Sequence, residues 1–322
     1  MKRIFHILVN PAAGGGQGAK TAKQIISILK EYRFTYFLYA TEYPGHELEL
    51  TQKLLQTEKI SPFPVDGNLA EQEIIPILVV IGGDGTLHQV LNQLHAYSTR
   101  YPVAYIKAGS GNDFARAFHS AKTPEEIFWG FLERQVPLEV PILRYQEAVT
   151  NQTGVFCNNL GIGLDGKIVK KVNLSKRKHW FHSLHIGKFS YFSSILTSFF
   201  QQRPFPIRVE FNGQERIFRK TLLFTVTNHP YFGGGIAIAP HAELTDDTFK
   251  LVVVQKMAFV KLLHLFYLIL RKKQLRSKHF KHYSLKKLRV LATTPQDVHL
   301  DGESLEGKSY DLTITLTSQL FW

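Results

Sequence analysis

The chain has 322 residues, with 39 Lys and Arg against 26 Asp and Glu, a net charge of +13. That length suits two domains, each with its own core, and the single cysteine, Cys157, excludes an internal disulfide and fits a reducing compartment. No run reaches the roughly 18 unbroken apolar residues of a membrane span, and the apolar run after Lys2 and Arg3 is only a strand long, so no signal peptide is expected.

Residues 4–9 read as a strand that runs into Asn10-Pro11-Ala12-Ala13-Gly14-Gly15-Gly16-Gln17-Gly18. A helix follows, with Ala22, Ile25, Ile26 and Leu29 spaced i, i+3, i+4, i+7. Residues 34–40 read as a second strand, 46–56 as a second helix, and 61–68, with two prolines and a glycine, as a surface loop. The apolar run 74–81 then breaks into Gly82-Gly83-Asp84-Gly85-Thr86, and a helix begins at about Leu87. A strand at 103–106 gives way to Ala108-Gly109-Ser110-Gly111-Asn112-Asp113 and a helix around 114–118. Three strand, glycine-loop and helix units predict an open, mostly parallel α/β sheet, which binds ligands beyond the carboxyl ends of its strands. Glycines let backbone N–H groups approach phosphate oxygens, and each helix N-terminus adds positive potential. Asp84 is placed to hold a Mg²⁺ that bridges phosphates. The stretch from Gly14 to Thr21 narrowly misses the P-loop pattern, because Ala19 stands where glycine is needed.

The second half changes character. Residues 155–159, 207–211, 221–226, 251–254, 288–292, 298–300 and 312–316 are short β-branched runs, which predict a sandwich-like β domain. Helical inserts are expected at 183–200 and 258–273. The expected division is a nucleotide-binding α/β domain at 1–140, with 316–322 as a candidate to rejoin it, and a β-rich second domain at 141–315. Charge is uneven: residues 166–209 hold nine Lys or Arg and residues 248–296 hold twelve, with no Asp or Glu in either. Anionic membrane is a physically suited partner for such blocks. In the second, Val260, Leu263, Phe266, Tyr267 and Leu270 fall on one helical face ahead of Arg271, Lys272 and Lys273. Lys176-Arg177-Lys178-His179-Trp180-Phe181 mixes bases with aromatics, but no RNA-binding signature accompanies it and no nucleic-acid partner is expected.

Four blocks occur in order along the chain: Asn10-Pro11 with its glycines, Gly82-Gly83-Asp84-Gly85-Thr86-Leu87, Gly109-Ser110-Gly111-Asn112-Asp113-Phe114-Ala115-Arg116, and Asp301-Gly302-Glu303. Together they resemble the diacylglycerol kinase catalytic-domain family, in its soluble bacterial lipid-kinase branch. The first glycine block of the β domain, Asn158-Asn159-Leu160-Gly161-Ile162-Gly163-Leu164-Asp165, resembles another family block. The resemblance implies an ATP-dependent kinase of diacylglycerol or a related lipid alcohol, using Mg²⁺, cytoplasmic and peripherally bound to an anionic membrane, with a homodimer left open. It implies nucleotide contacts from Asn10, Pro11, Gly14, Thr41, Gly82, Gly83, Asp84, Gly85, Thr86, Ser110, Gly111, Asn112 and Asp113. It implies metal-organising acids at Asp84 and Asp113 and at Glu139, where family members carry Asp. An accessory metal loop is implied around Asp247, with carbonyls from Leu244 and Phe249; the family has Gly where Thr248 stands. Asp301 is implied as the base for the acceptor hydroxyl, with Glu303 beside it, on a sharp turn expected to expose both carboxylates. A kinase of a soluble alcohol, as the NAD kinases are, and a non-catalytic lipid- or nucleotide-binding protein are the alternatives.

Overall fold

A computed structural model describes residues 2–69, 72–119, 122–164, 202–292, 294, 296–305 and 310–322. The insert expected at 183–200, the basic-aromatic run at 176–181 and Asp165 lie outside the described residues. Contacts divide the chain into two compact units. Unit 1 holds Met1–Ile142, Gly233–Gly235 and Thr317–Trp322; unit 2 holds Leu143–Phe232 and Ile236–Leu316.

Unit 1 alternates strands and helices: β1 (Lys2–Val9), α1 (Ala13–Glu31), β2 (Thr35–Ala40), α2 (His46–Gln56), β3 (Ile74–Gly82), α3 (Asp84–His95), β4 (Val103–Lys107), α4 (Asp113–His119) and α5 (Pro124–Leu132). β1 pairs in parallel with both β2 and β3, and β3 with β4, so β1, β3 and β4 are neighbours. Alternation along β1 sends Phe5, Ile7 and Val9 to one face, where they pack with Ile77, Val79 and Ile81 of β3, Ile25 and Leu29 of α1, and Phe128 and Phe131 of α5. α5 opens with a full capping box: Thr123 accepts the Glu126 N–H, the Glu126 carboxylate accepts the Thr123 N–H, and Pro124 holds the first turn.

Unit 2 is mostly antiparallel β. β5 (Leu138–Glu147) pairs with β6 (Thr153–Phe156). β7 (Asn159–Gly163), β8 (Phe205–Phe211) and β12 (Phe249–Gln255) all pair with the long β9 (Gln214–Thr227). The short β10 (Tyr231–Phe232) and β11 (Ile236–Ala237) pair with each other. After β12 come α6 (Phe259–Leu270), β13 (Phe280–Leu285), β14 (Lys287–Ala292), β15 (Val298–Leu300), β16 (Glu303–Leu305) and β17 (Tyr310–Phe321). β8 turns into β9 through Asn212-Gly213, both at positive φ (51° and 71°), the backbone a two-residue type I′ hairpin needs. Leu160, Ile162, Phe224, Val226, Leu251, Val253, Leu288, Val290, Leu312 and Ile314 form its buried core.

The chain thus has the expected α/β N-terminal and β-sandwich C-terminal architecture. One local reading changes. The run 155–159 is not one strand: β6 ends at Phe156 and β7 starts at Asn159. Gly161 and Gly163 lie within β7. Helix α1 becomes regular only after Gly14, Gly15 and Gly16, which sit at φ 60°, 69° and 96°.

Candidate active site

The register of β1, β3 and β4 sets their carboxyl ends side by side, with Val9 opposite Ile81 and Gly82 opposite Lys107. Two further backbone bonds carry the pairing into the loops: Asn10 N–H donates to the Ile81 carbonyl at 3.0 Å, and Ala108 N–H to the Gly82 carbonyl at 2.7 Å. Thr41 joins from β2, its N–H on the Val9 carbonyl at 2.9 Å. The loops then touch. A Cβ on Gly109 would lie 2.5 Å from the Gly83 Cα, and one on Gly82 would meet the Thr86 side chain at 2.6 Å. Gly18, behind the first loop, runs directly against the Asn10 carbonyl. Gly18→Ala should therefore displace that loop and cost about 1–3 kcal/mol, the usual range for overpacking. Thermal melting checks this, and an unchanged Tm would contradict the close approach.

Asn112, at φ 54°, locks the third loop: its Oδ1 accepts the Gly109 N–H at 2.9 Å and its Nδ2 donates to the Gly109 carbonyl at 2.6 Å. Ser110 is exposed beside it. Asp84 opens α3, and its Oδ2 accepts the Asp113 N–H at 3.3 Å, joining the second and third loops. The same oxygen lies 3.2 Å from where a Gly111 Cβ would stand. Asp113 is buried, with Oδ1 on Arg116 Nη1 at 2.7 Å and Oδ2 accepting the Gly234 N–H at 2.8 Å. Burial pushes its carboxyl up from the ordinary range, against the pull of the Gly234 N–H and the Arg116 guanidinium.

These residues fit a metal-bound nucleoside triphosphate. Gly83, Gly109 and Gly111 sit where side chains would crowd the loops, so backbone faces what binds there. No group of three or more His, Cys, Asp or Glu side chains gathers to hold a metal among the described residues. Asp84 and Asp113 are the carboxylates at these loops, and one or two carboxylates, with phosphate oxygens and water, are what a phosphate-bound Mg²⁺ would take.

Two partners of this site escaped the sequence reading. Glu47, in the first turn of α2, is buried, and its Oε1 accepts from Asn10 Nδ2 at 3.1 Å and lies 3.5 Å from the Thr86 hydroxyl. Asn10 Nδ2 also reaches Thr86 Oγ1 at 3.1 Å, while Asn10 Oδ1 accepts the Ala12 N–H at 3.1 Å. Glu47 thus sets the side chain that shapes the first loop. The Gly233-Gly234-Gly235 triplet is the second: it belongs to unit 1 and supplies the N–H on Asp113.

In unit 2, Asp301 and Gly302 form the turn between β15 and β16, at φ 50° and 90°, with Leu300 opposite Glu303. The expectation that this turn exposes both carboxylates is half corrected: Glu303 is exposed, whereas Asp301 is only 6% exposed. The reason is a backbone clamp. Asp301 Oδ2 accepts the Cys157 N–H at 2.8 Å, and Oδ1 accepts the N–H groups of Asn158 at 2.8 Å and Asn159 at 3.1 Å. The break between β6 and β7 aims those three consecutive amides at one carboxylate.

The diacylglycerol kinase catalytic domain matches residues 5–138, and the YegS C-terminal NAD kinase beta sandwich-like domain matches residues 159–315. This chain carries a diacylglycerol kinase catalytic domain. It is 26% identical over 306 residues to YtlR of Bacillus subtilis (strain 168), covering 93% of each chain. It is 24% identical over 306 residues to the diacylglycerol kinase of Staphylococcus carnosus (strain TM300), covering 94% of this chain and 89% of that one. A crystal structure from Bacillus anthracis str. Sterne superposes with TM-score 0.70 at 21% identity, over 99% of this chain and 96% of that one. At that identity the likeness shows the fold. The protein is a diacylglycerol kinase-like lipid kinase, a phosphotransferase, and its family implies ATP as the phosphoryl donor.

The remaining family positions of this lipid kinase carry other partners. Glu139 is exposed, accepts the Ser318 hydroxyl at 2.5 Å and pairs with Arg100 at 2.9 Å. The Ser318 hydroxyl, with Arg100 adding to it, holds its carboxyl below the ordinary range. In the loop before β12, Asp247 pairs with Lys286 at 2.5 Å and Asp246 with Lys250 at 3.0 Å. The Lys286 ammonium holds the exposed Asp247 carboxyl below its ordinary value. Leu244 and Phe249 flank these pairs in sequence. Thr248 is not among the residues at positive φ, so a β-branched side chain fits there without backbone strain.

Proposed function

We propose that this lipid kinase transfers the γ-phosphoryl group of ATP to the hydroxyl of diacylglycerol, or of a closely related lipid alcohol, presented at an anionic membrane surface. The observation that carries the reading is the meeting of three glycine loops at adjacent strand ends, with Asp84 hydrogen-bonded across to the third loop. Asn10, Pro11, Gly14, Thr41, the Gly82 to Thr86 loop, and the Ser110 to Asp113 loop would contact the nucleotide. Asp84 and Asp113 would hold Mg²⁺ or its water, and the ion, when bound, neutralises charge on the transferring phosphoryl group. In unit 2, Asp301 would orient the lipid hydroxyl and accept its proton, its plane fixed by three N–H groups so that it need not reorganise during transfer. Glu303, exposed on the same turn, would add negative potential there. Glu139, and Asp247 with the Leu244 and Phe249 carbonyls, would bind metal only by exchanging the partners they have here. The test is transfer of label from γ-labelled ATP to a panel of lipid alcohols in anionic vesicles, with diacylglycerol the expected acceptor. No labelled lipid from any member of the panel would contradict the reading.

Membrane contact would come from α6. Its Leu265 and Leu268 are buried in unit 2, while Val260, Leu263, Tyr267 and Leu270 are 75%, 42%, 55% and 65% exposed along one face. Arg271, Lys272 and Lys273 follow, all exposed. No helix among the described residues is long and apolar enough to cross a membrane. Each base near an anionic surface contributes about 1 kcal/mol before screening. Sedimentation should show binding to phosphatidylglycerol vesicles, little binding to neutral ones, and a marked loss when Arg271, Lys272 and Lys273 are all changed to Glu. Equal binding to both vesicle types, insensitive to salt and to the triple change, would make α6 a solvated face.

A further inference from the structure

Beside the Asp301 clamp lies a second buried polar pair that the nucleotide chemistry does not use. Asn158, whose main-chain N–H is one of the three on Asp301, is 4% exposed, and its Oδ1 lies 3.2 Å from Nε2 of the fully buried His229. The other ring nitrogen, Nδ1, accepts the Tyr231 N–H at 3.2 Å. Burial drives the pKa of His229 down to about 4, so its ring is neutral under ordinary conditions and carries one N–H. With Nδ1 accepting, that proton is on Nε2 and donates to Asn158 Oδ1. The orientation of the Asn158 amide follows: its oxygen faces His229, and its NH₂ faces away. That buried Nδ2 has no hydrogen-bond partner among the described residues, an arrangement that destabilises a fold unless something else accepts from it.

We infer that Asn158 is a second polar contact for the acceptor alcohol, its Nδ2–H donating to the hydroxyl oxygen that Asp301 orients, and that His229 is the positioning residue that holds this amide. A hydroxyl is the chemical class that suits both groups. It gives its hydrogen to a carboxylate and takes one from an amide, whereas a protonated amine could satisfy only Asp301. The inference rests on the reading of Asp301 as the group that meets the acceptor. His229 acts by fixing which way the Asn158 amide faces, through its own neutral tautomer, and takes no part in proton transfer.

The test uses the full-length enzyme with γ-labelled ATP and dioleoylglycerol in phosphatidylglycerol vesicles, with Tm measured for each variant. Asn158→Ala should lower kcat/KM for the lipid roughly ten- to a hundredfold, the scale of losing one preorganised donor, with KM for ATP unchanged. His229→Leu, which frees the amide to turn, should show part of the same loss. His229→Gln, which can still donate to Asn158 Oδ1, should recover more of it than His229→Leu, with the wild-type pH profile between pH 6 and 8. A folded Asn158→Ala enzyme with wild-type kcat and lipid KM would overturn the inference. So would His229→Leu and His229→Gln proteins that lose Tm together without any change in lipid kinetics, a readout that serves even if Asn158→Ala does not fold. Asp301→Asn separates the two levels. If it too retains full activity, the reading of Asp301 fails; if it is inactive while Asn158→Ala is not, only the role of Asn158 and His229 fails.

Discussion

Asp301→Asn should depress kcat by roughly 10²–10⁴, the range for loss of a general base, while ATP affinity stays close to wild type. The backbone at this position should survive the change, because Asn is among the few residues that accept a φ near the 50° found here. The clamp is more demanding. Both carboxylate oxygens of Asp301 accept N–H groups, from Cys157 on one side and from Asn158 and Asn159 on the other. An Asn amide turns its NH₂ toward at least one of these donors and leaves a buried N–H unmatched, at a cost of about 1–3 kcal/mol. The kinetic comparison should therefore be made below the variant's Tm. If ATP affinity collapses and kcat persists, Asp301 serves the nucleotide and the assignment of roles is wrong.

Asp84→Asn should remove most turnover and keep the fold. An amide oxygen at 84 can still accept the Asp113 N–H, now 3.3 Å from Oδ2, so the second and third loops stay joined. What the amide cannot supply is negative charge toward Mg²⁺. Circular dichroism and Tm should match wild type while the rate at ordinary Mg²⁺ falls to a small fraction. Near-normal activity for this variant would remove Asp84 from the metal site.

Local chemistry explains what could be read in advance. A strand that breaks into glycines before a helix is written in consecutive residues, so the loops after β1, β3 and β4 were legible, as were the Asp301-Gly302 turn and the bounds of α2 and β15. The Asp301 clamp was not, because its donors at Cys157, Asn158 and Asn159 lie more than 140 residues away in sequence. The turn signal suggested exposed carboxylates; the tertiary fold buried one of them. Glu47 was hidden in the same way, since an acid in the first turn of a helix is ordinary and only the approach of Asn10 and Thr86 makes it part of the site. Other omissions had signals. Thr123-Pro124-Glu125-Glu126 announces α5 by its capping box, Asn212-Gly213 announces the β8–β9 hairpin, and Gly233-Gly234-Gly235 is as conspicuous as the loops that were read. For α6, helical spacing alone grouped Phe266 with Val260, Leu263, Tyr267 and Leu270. Packing decides otherwise: Phe266 is half-buried and the other four are exposed.

The claim that this fold phosphorylates a lipid alcohol, rather than a soluble one, is tested most directly by competition. Wild-type protein is given γ-labelled ATP and Mg²⁺, together with phosphatidylglycerol vesicles carrying dioleoylglycerol and an equal concentration of NAD in solution. Solvent extraction then divides the label between phases. Labelled lipid should collect in the organic phase, sharply reduced with both Asp84→Asn and Asp301→Asn, while no labelled NADP forms. Label appearing on the nucleotide, with none in the lipid, would contradict the account.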